Sequence, residues 1–159
     1  MTTENQSSGT NEPKQPRIVV GVDGSRTSLE ALEWAVREAR LRGATLEVVH
    51  ASFFRQEFLD SFPGANEGER SILDAALAKA KAIAPDIRLV GRFGDPPAAQ
   101  VLVDVSKDAD LLVVGSRGLG PFKEFALGSV SHDCARHAQC PLVIIGPRTS
   151  QMALAATHA

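Results

Sequence analysis

The stretch Arg17-Ile18-Val19-Val20-Gly21-Val22-Asp23 is an unbroken apolar run that ends in a polar turn residue. A strand buried on both faces of a parallel sheet has such a continuous, β-branched sequence, whereas a half-exposed strand alternates apolar and polar residues. Four more short strands are predicted along the chain, at residues 45–50, 87–93, 110–115 and 141–146. The sequence therefore predicts five strands in all.

Helical patterns separate these predicted strands. Ser25 can cap a first helix, in which apolar residues recur at helical spacing: Leu29, Leu32, Val36 and Ala39. Three further helices are predicted over residues 72–83, from Pro96 or Pro97 onward, and along an inner face formed by Leu127, Val130 and Cys134. The order βαβαβαβαβ predicts a three-layer α/β fold with a doubly wound five-stranded parallel sheet of the flavodoxin-like kind.

The composition is that of one soluble domain with polar ends. The chain has 159 residues, of which 43% are hydrophobic and 23% charged, and its formal charge is −2. We predict a disordered tail at residues 1–16, one domain at 17–147 and a C-terminal tail at 148–159. Residues 51–68 have weak periodicity and a Pro-Gly pair, so they are predicted to form a mobile loop or lid.

Several classes of partner are disfavoured by the same sequence. The charge balance is not that of a basic surface for nucleic acid, and no apolar stretch is long enough to cross a bilayer. Only two cysteines occur, which favours the reducing cytoplasm over a disulfide-stabilised secreted fold. His132, Cys134, His137 and Cys140 do not converge on one helix face, so we predict no metal site there.

The ends of three strands carry the candidate site. Ligands of doubly wound sheets bind beyond the carboxyl ends of the strands, near a switch in strand order. Asp23, Ala51 and Gly115 follow or end the first, second and fourth predicted strands. Asp23 has a second interpretation, because an aspartate after a strand often caps the next turn.

Small residues and donors follow the fourth strand, as phosphate binding requires. Gly115 and Gly118 lack side chains that would block an anion, and Arg117 lies between them. Gly128 and Ser129 then precede the fourth predicted helix, whose first N–H groups lack intrahelical partners. Ser131 adds another hydroxyl. Alternatively, the glycines only form turns.

These residues carry a resemblance to a known family. Gly115, two residues, Gly118, nine residues, Gly128 and Ser129 reproduce the ATP-binding pattern of universal stress proteins. The segment Val20-Gly21-Val22-Asp23-Gly24-Ser25 and the apolar strand before Gly115 agree with the family as well. The resemblance covers roughly residues 17–147, and it implies the ATP-binding subgroup and an adenine nucleotide alpha hydrolase-like fold.

The resemblance also implies roles for individual residues. Asp23 would lie near the base and ribose, and Ala51, where the family often has Val, would meet the adenine. The residues that would line the ribose and phosphates are Gly115, Arg117 and Gly118, and those that would hold the β and γ phosphates are Gly128, Ser129, Val130 and Ser131. Mg²⁺ would be held with the phosphates and, through water, by Asp23.

The implied protein is a cytoplasmic homodimer that pairs through its last strand, residues 142–146. It would be an ATP-binding regulator of a stress response with at most slow hydrolysis or autophosphorylation, because no general base is evident beside the phosphate loop. Two alternatives stay open: a dimeric interaction module that binds no nucleotide, and an enzyme acting on a nucleotide-linked substrate.

Overall fold

The computed structural model describes residues 13–117 and 127–147. Their strands are β1 Arg17–Gly21, β2 Thr45–Ala51, β3 Leu89–Gly94, β4 Leu111–Gly115 and β5 Leu142–Ile145. Their helices are α1 Arg26–Arg42, α2 Gln56–Ser61, α3 Pro63–Ile83, α4 Ala98–Ser106 and α5 Ser129–His137. The predicted tails fall largely outside these residues, at 1–12 and 148–159.

All four strand pairings are parallel, in the order β3-β2-β1-β4-β5. This confirms the predicted doubly wound α/β class. The order differs from the 2-1-3-4-5 of flavodoxin itself, but both orders have a switch point beside β1. Here β1 lies between β2 and β4, so the chain crosses from one half of the sheet to the other at that point.

Two apolar layers explain why the strands read as unbroken runs. Along β1, Ile18 and Val20 belong to the cluster packed under α1 and α3, whereas Val19 belongs to the cluster under α4 and α5. Successive side chains of a strand point to opposite faces, so the central strand β1, covered on both faces, has apolar residues at successive positions. The predicted inner face of α1 is confirmed, with Leu32, Val36 and Ala39 fully buried.

The predicted loop at 51–68 is wrong over most of its length. Residues 56–61 form α2, and α3 begins at Pro63 rather than at residue 72. The Pro-Gly pair indicated a turn, but proline is well tolerated in the first turn of a helix because its missing N–H has no partner there. Glu69 is buried at an inward position of α3, where an apolar residue would have revealed the helical pattern.

The start of α5 also differs from its prediction. The helix begins at Ser129, and Leu127 lies before it with a 42% exposed side chain, so Leu127 does not belong to the inner face. Cys134 does, being fully buried. Among residues 13–117 and 127–147, no helix combines the length and the apolar character that crossing a membrane requires.

Candidate functional site

A cleft of about 490 Å³ lies beyond the carboxyl ends of β1, β2 and β4. This volume is within the range of small-molecule sites. The strand order produces the cleft, because the loops after β1 and β4 diverge at the switch point and leave a crevice between them. The rule that selected Asp23, Ala51 and Gly115 in the sequence thus led to one cleft.

Most of the predicted site residues line this cleft together. Those present are Asp23, Ala51, Gly115, Arg117, Gly128, Ser129, Val130 and Ser131. The ninth, Gly118, lies outside the described residues.

The first residues of α5 line the cleft. Gly128 is the N-cap, with φ −61° and ψ 162°, and the three residues after it line the cleft. The first N–H groups of an α-helix have no intrahelical acceptor, and the helix dipole adds partial positive charge there. The N–H of Gly128 itself donates to the Ser116 carbonyl, at 2.8 Å. That amide is therefore occupied by the protein.

The hydroxyl of Ser131 is occupied in the same way. It is within 3.0 Å of both the Ser116 and the Gly128 carbonyl oxygens, and the residue is only 2% exposed. A hydroxyl has one proton to donate, and here a carbonyl accepts it. The prediction that this hydroxyl donates to a ligand therefore conflicts with the structure, in which it ties the end of β4 to the start of α5.

Gly115 lacks a side chain for a packing reason. A Cβ there would lie 2.8 Å from the Thr27 carbonyl carbon and 2.9 Å from the Ser28 nitrogen, both main-chain atoms of α1. The sequence interpretation, that this glycine makes room for an anion, misses this neighbour. The bare backbone of Gly115 lets the first turn of α1 lie directly against the end of β4.

The turn between β1 and α1 is held by several hydrogen bonds. The Oδ1 atom of Asp23 accepts from the Ser25 N–H at 2.9 Å, and Gly24 has a φ of +81° that favours glycine. The capping interpretation of Asp23 is therefore correct, and the residue lines the cleft as well. Thr27 Oγ1 donates to the carbonyl of Arg117, which connects this turn to the loop after β4.

The β2 side of the cleft, across β1 from β4, is apolar. Val49, Ala51 and Phe53 line it there, and Pro96, Pro97 and Leu102 add apolar lining from the loop before α4 and from α4 itself. Of these, only Ala51 was a predicted site residue. Phe53 lies in the segment 51–68 that the sequence predicted to be a loop or lid, and it was not among the predicted site residues.

A second carboxylate in the cleft was also missed. Asp133 lines it together with Asp23, although the sequence indicated Asp23 alone. Asp133 is four residues after Ser129 on α5, one helical turn along the same face, so the periodicity carried a usable signal. Within residues 13–117 and 127–147, no group of three His, Cys, Asp or Glu side chains is arranged to hold a metal ion.

Burial raises the pKa of the nearby Cys134 thiol to about 11.

Comparison with known proteins identifies the family. The sequence model of the universal stress protein family matches residues 16–146. The chain belongs to the universal stress protein family. This confirms the resemblance seen in the sequence.

Relatives of this family member include longer proteins. Universal stress protein Rv2624c of Mycobacterium tuberculosis (strain ATCC 25618 / H37Rv) is 32% identical over 147 residues, which cover 92% of this chain and 54% of that protein. The chain thus spans about half the length of the curated relatives it matches.

Solved structures of the family share the fold. A crystal structure of a universal stress protein in complex with cAMP aligns with a TM-score of 0.67 and 31% identity, over 83% of this chain and 97% of that chain. The universal stress protein from Archaeoglobus fulgidus in complex with dAMP aligns with a TM-score of 0.63 and 24% identity, over 82% of this chain and 97% of that chain.

Proposed function

We propose that this chain binds ATP in the cleft and acts as a nucleotide-dependent regulator of a stress response. The observation that carries the proposal is the chemistry of the two ends of the cleft. At one end the first amides of α5 supply donors and partial positive charge for phosphates. At the other end, apolar side chains at the end of β2 match a flat, largely apolar base.

The comparisons support an adenine nucleotide as the ligand. The family member in complex with cAMP is 31% identical to this chain over nearly all of its own length. We extend the proposal to ATP because the glycine pattern is that of the ATP-binding subgroup. The proposed ligand-binding residues are Asp23, Ala51, Gly115, Arg117, Gly118, Gly128, Ser129, Val130 and Ser131, with Ser131 acting through its main chain.

Mg²⁺ fits the residues present. Two carboxylates, Asp23 and Asp133, line the cleft, and Mg²⁺ in nucleotide sites commonly combines phosphate oxygens, waters and one or two carboxylates. The ion would neutralise phosphate charge that otherwise repels these aspartates.

We further propose a cytoplasmic homodimer that pairs through residues 142–146. β5 is an edge strand that pairs with β4, and all four of its residues are half-buried and apolar. An apolar edge is a template for pairing with another chain, so covering it by a second copy removes an aggregation hazard. Hydrolysis of ATP would be slow at most.

Calorimetric titration of the protein with ATP and Mg²⁺ tests the proposed function. The Gly128→Ala variant adds a methyl group at the mouth of α5, and the backbone angles of Gly128 are ones that alanine adopts freely. We expect this variant to lose ATP binding while Gly64→Ala, at an exposed glycine in the first turn of α3 with no atom within 4 Å of the added methyl, keeps it. Wild-type protein that shows no binding at millimolar ATP would contradict the proposal.

One observation favours a second candidate function, a dimeric interaction module without nucleotide. Gly115 makes room for α1, and the Gly128 N–H and the Ser131 hydroxyl both serve the Ser116 carbonyl. Much of the glycine-serine pattern therefore has a structural use. Under this alternative, Gly128→Ala would leave all measurable properties except stability unchanged.

A further inference from the structure

A buried histidine lies beneath the apolar end of the cleft, with both ring nitrogens engaged. His50, at the end of β2, is fully buried; its Nδ1 is 2.8 Å from the Val22 carbonyl oxygen and its Nε2 is 2.8 Å from Glu69 Oε2. A carbonyl oxygen only accepts, so Nδ1 donates to it. The second contact requires one proton between Nε2 and Oε2. His50 thus connects the end of β1 to α3 through the interior.

The carboxylate of Glu69 extends this connection to the cleft wall. The same Oε2 atom accepts from the main-chain N–H of Phe53 at 3.3 Å, and Glu69 is itself only 7% exposed. A buried carboxylate is costly unless it is paired and hydrogen-bonded, and here it has both kinds of partner. Glu69 therefore holds the main chain of the loop after β2 at Phe53.

The side chain of Phe53 is fixed on one side and open on the other. Its ring meets the His50 ring edge-on, with centroids 6.5 Å apart and planes at 66°. The ring lines the cleft, yet the residue is 55% exposed, in contrast to the buried Val49 and Ala51 beside it. Phe53 is thus held at its main chain by Glu69 and at its ring by His50, while most of the residue stays exposed beside the cleft.

The geometry points to a specific role for these three residues. We propose that Phe53 is the aromatic wall on which the base of the bound nucleotide stacks, and that the buried His50–Glu69 pair positions it. The proposal rests on the proposed function. It follows from the two-ended cleft: with the phosphates at the amides of α5, the base reaches the β2 end, where Phe53 supplies an aromatic ring that is largely exposed. Phe53 would contact the ligand, whereas His50 and Glu69 act through it.

Calorimetry with two probes, ATP and inorganic tripolyphosphate, tests the role of Phe53. Removing an aromatic ring that stacks on a base weakens binding roughly tenfold. We expect Phe53→Ala to weaken ATP binding by about this factor and to leave tripolyphosphate binding unchanged. The matched control is Phe54→Ala, because Phe54 is the next residue, is similarly exposed at 43%, and stacks on Phe58 with centroids 4.7 Å apart.

A double-mutant cycle tests the positioning role. Glu69→Gln cannot keep all the contacts of the pair without leaving a buried imidazolium with no counter-charge, so it releases Phe53. Freeing a side chain that must then be ordered on binding costs about fivefold in affinity. We expect that loss in the otherwise wild-type protein and no further loss in the Phe53→Ala background. A role confined to stability would lower the unfolding temperature and leave the ATP affinity unchanged in both backgrounds.

The outcomes separate this inference from the proposed function. Wild-type protein that binds neither probe overturns both. An ATP affinity that is unchanged in Phe53→Ala, or that falls by the same factor in Phe54→Ala, overturns the role of Phe53. The proposed function is unaffected by either result. Equal effects of Glu69→Gln in the two backgrounds overturn the positioning role. The unfolding temperature of each variant, measured alongside, identifies any that fail to fold.

Discussion

Substitution of Gly115 by alanine tests the packing between α1 and the end of β4. An added Cβ would lie 2.8 Å from the Thr27 carbonyl carbon, 2.9 Å from the Ser28 nitrogen and 3.0 Å from the Thr27 oxygen. All three are main-chain atoms, so no side-chain rotation can relieve the contact. The first turn of α1 would have to move by roughly 0.7 Å to restore ordinary contact distances near 3.5 Å.

The loss of stability expected for Gly115→Ala depends on whether the added methyl group contacts main-chain or side-chain atoms. Overpacking a buried site costs about 1–3 kcal/mol, and the upper part of that range applies where the neighbour is backbone. We therefore expect Gly115→Ala to lower the free energy of unfolding by about 2–3 kcal/mol. For a domain of this size the unfolding temperature should fall by roughly 8 °C.

Urea and thermal unfolding, followed by circular dichroism, measure this loss. Two other glycines provide graded controls. At Gly91 an added Cβ would meet the end of the Leu77 side chain at 2.7 Å, which can rotate away, and at Gly64, exposed in α3, it would meet nothing within 4 Å. We expect a loss of less than about 1 kcal/mol at Gly91 and no loss at Gly64, where alanine is the better helix former. A Gly115→Ala variant as stable as Gly64→Ala would refute the reasoning.

Two further predictions concern α5. The pKa of the Cys134 thiol rises from 9.0 to about 11 on folding. The contribution of this thiol to the free energy of unfolding is therefore fully present below pH 9 and is lost as pH rises toward 11. The loss is at most about 1.4 kcal/mol per pH unit. Urea unfolding between pH 8 and 11 should therefore be less pH-dependent in Cys134→Ala, and identical slopes would contradict this. Ser131→Ala removes a hydroxyl bonded to carbonyls, so it should lower the free energy of unfolding by about 1 kcal/mol and change ATP affinity little. Ser129→Ala should weaken ATP binding in calorimetry and change the free energy of unfolding little. The opposite pattern would assign the ligand contact to the Ser131 hydroxyl.

The strands were predictable because their signal is local. A strand buried on both faces needs apolar residues at each position, so the run at residues 18–20 is visible without any knowledge of its neighbours. The helices α2 and the first turns of α3 were not predictable in this way. Their inward positions are few, and one of them is Glu69, whose burial depends on a histidine 19 residues earlier in the chain. The spacing of apolar residues within α3 therefore cannot predict that Glu69 is buried, because its partner His50 lies outside the helix.

The location of the cleft was predictable from the sequence, but only some of the residues that line it were. The rule for parallel sheets selects strand ends, and Asp23, Ala51 and Gly115 all reach the cleft. Phe53 could not be assigned, because its position depends on how α3 packs under the loop after β2. The neighbour of Gly115 could not be assigned either, since α1 approaches it from a distant part of the chain.

The pattern of glycine and serine after β4 serves two demands that compete for the same atoms. The Ser116 carbonyl accepts from the Gly128 N–H and lies within hydrogen-bonding distance of the Ser131 hydroxyl, and these contacts fix where α5 begins. Once they are made, the groups at residues 128–131 that can still serve a phosphate include the first main-chain amides of the helix and the Ser129 hydroxyl. A helix start held in place by its own loop presents those amides without further rearrangement. Preorganised donors of this kind increase the affinity for an anion, because less ordering is needed on binding. The structural use of the pattern is therefore compatible with a use in binding, because the contacts that occupy two donors also fix the orientation of the others.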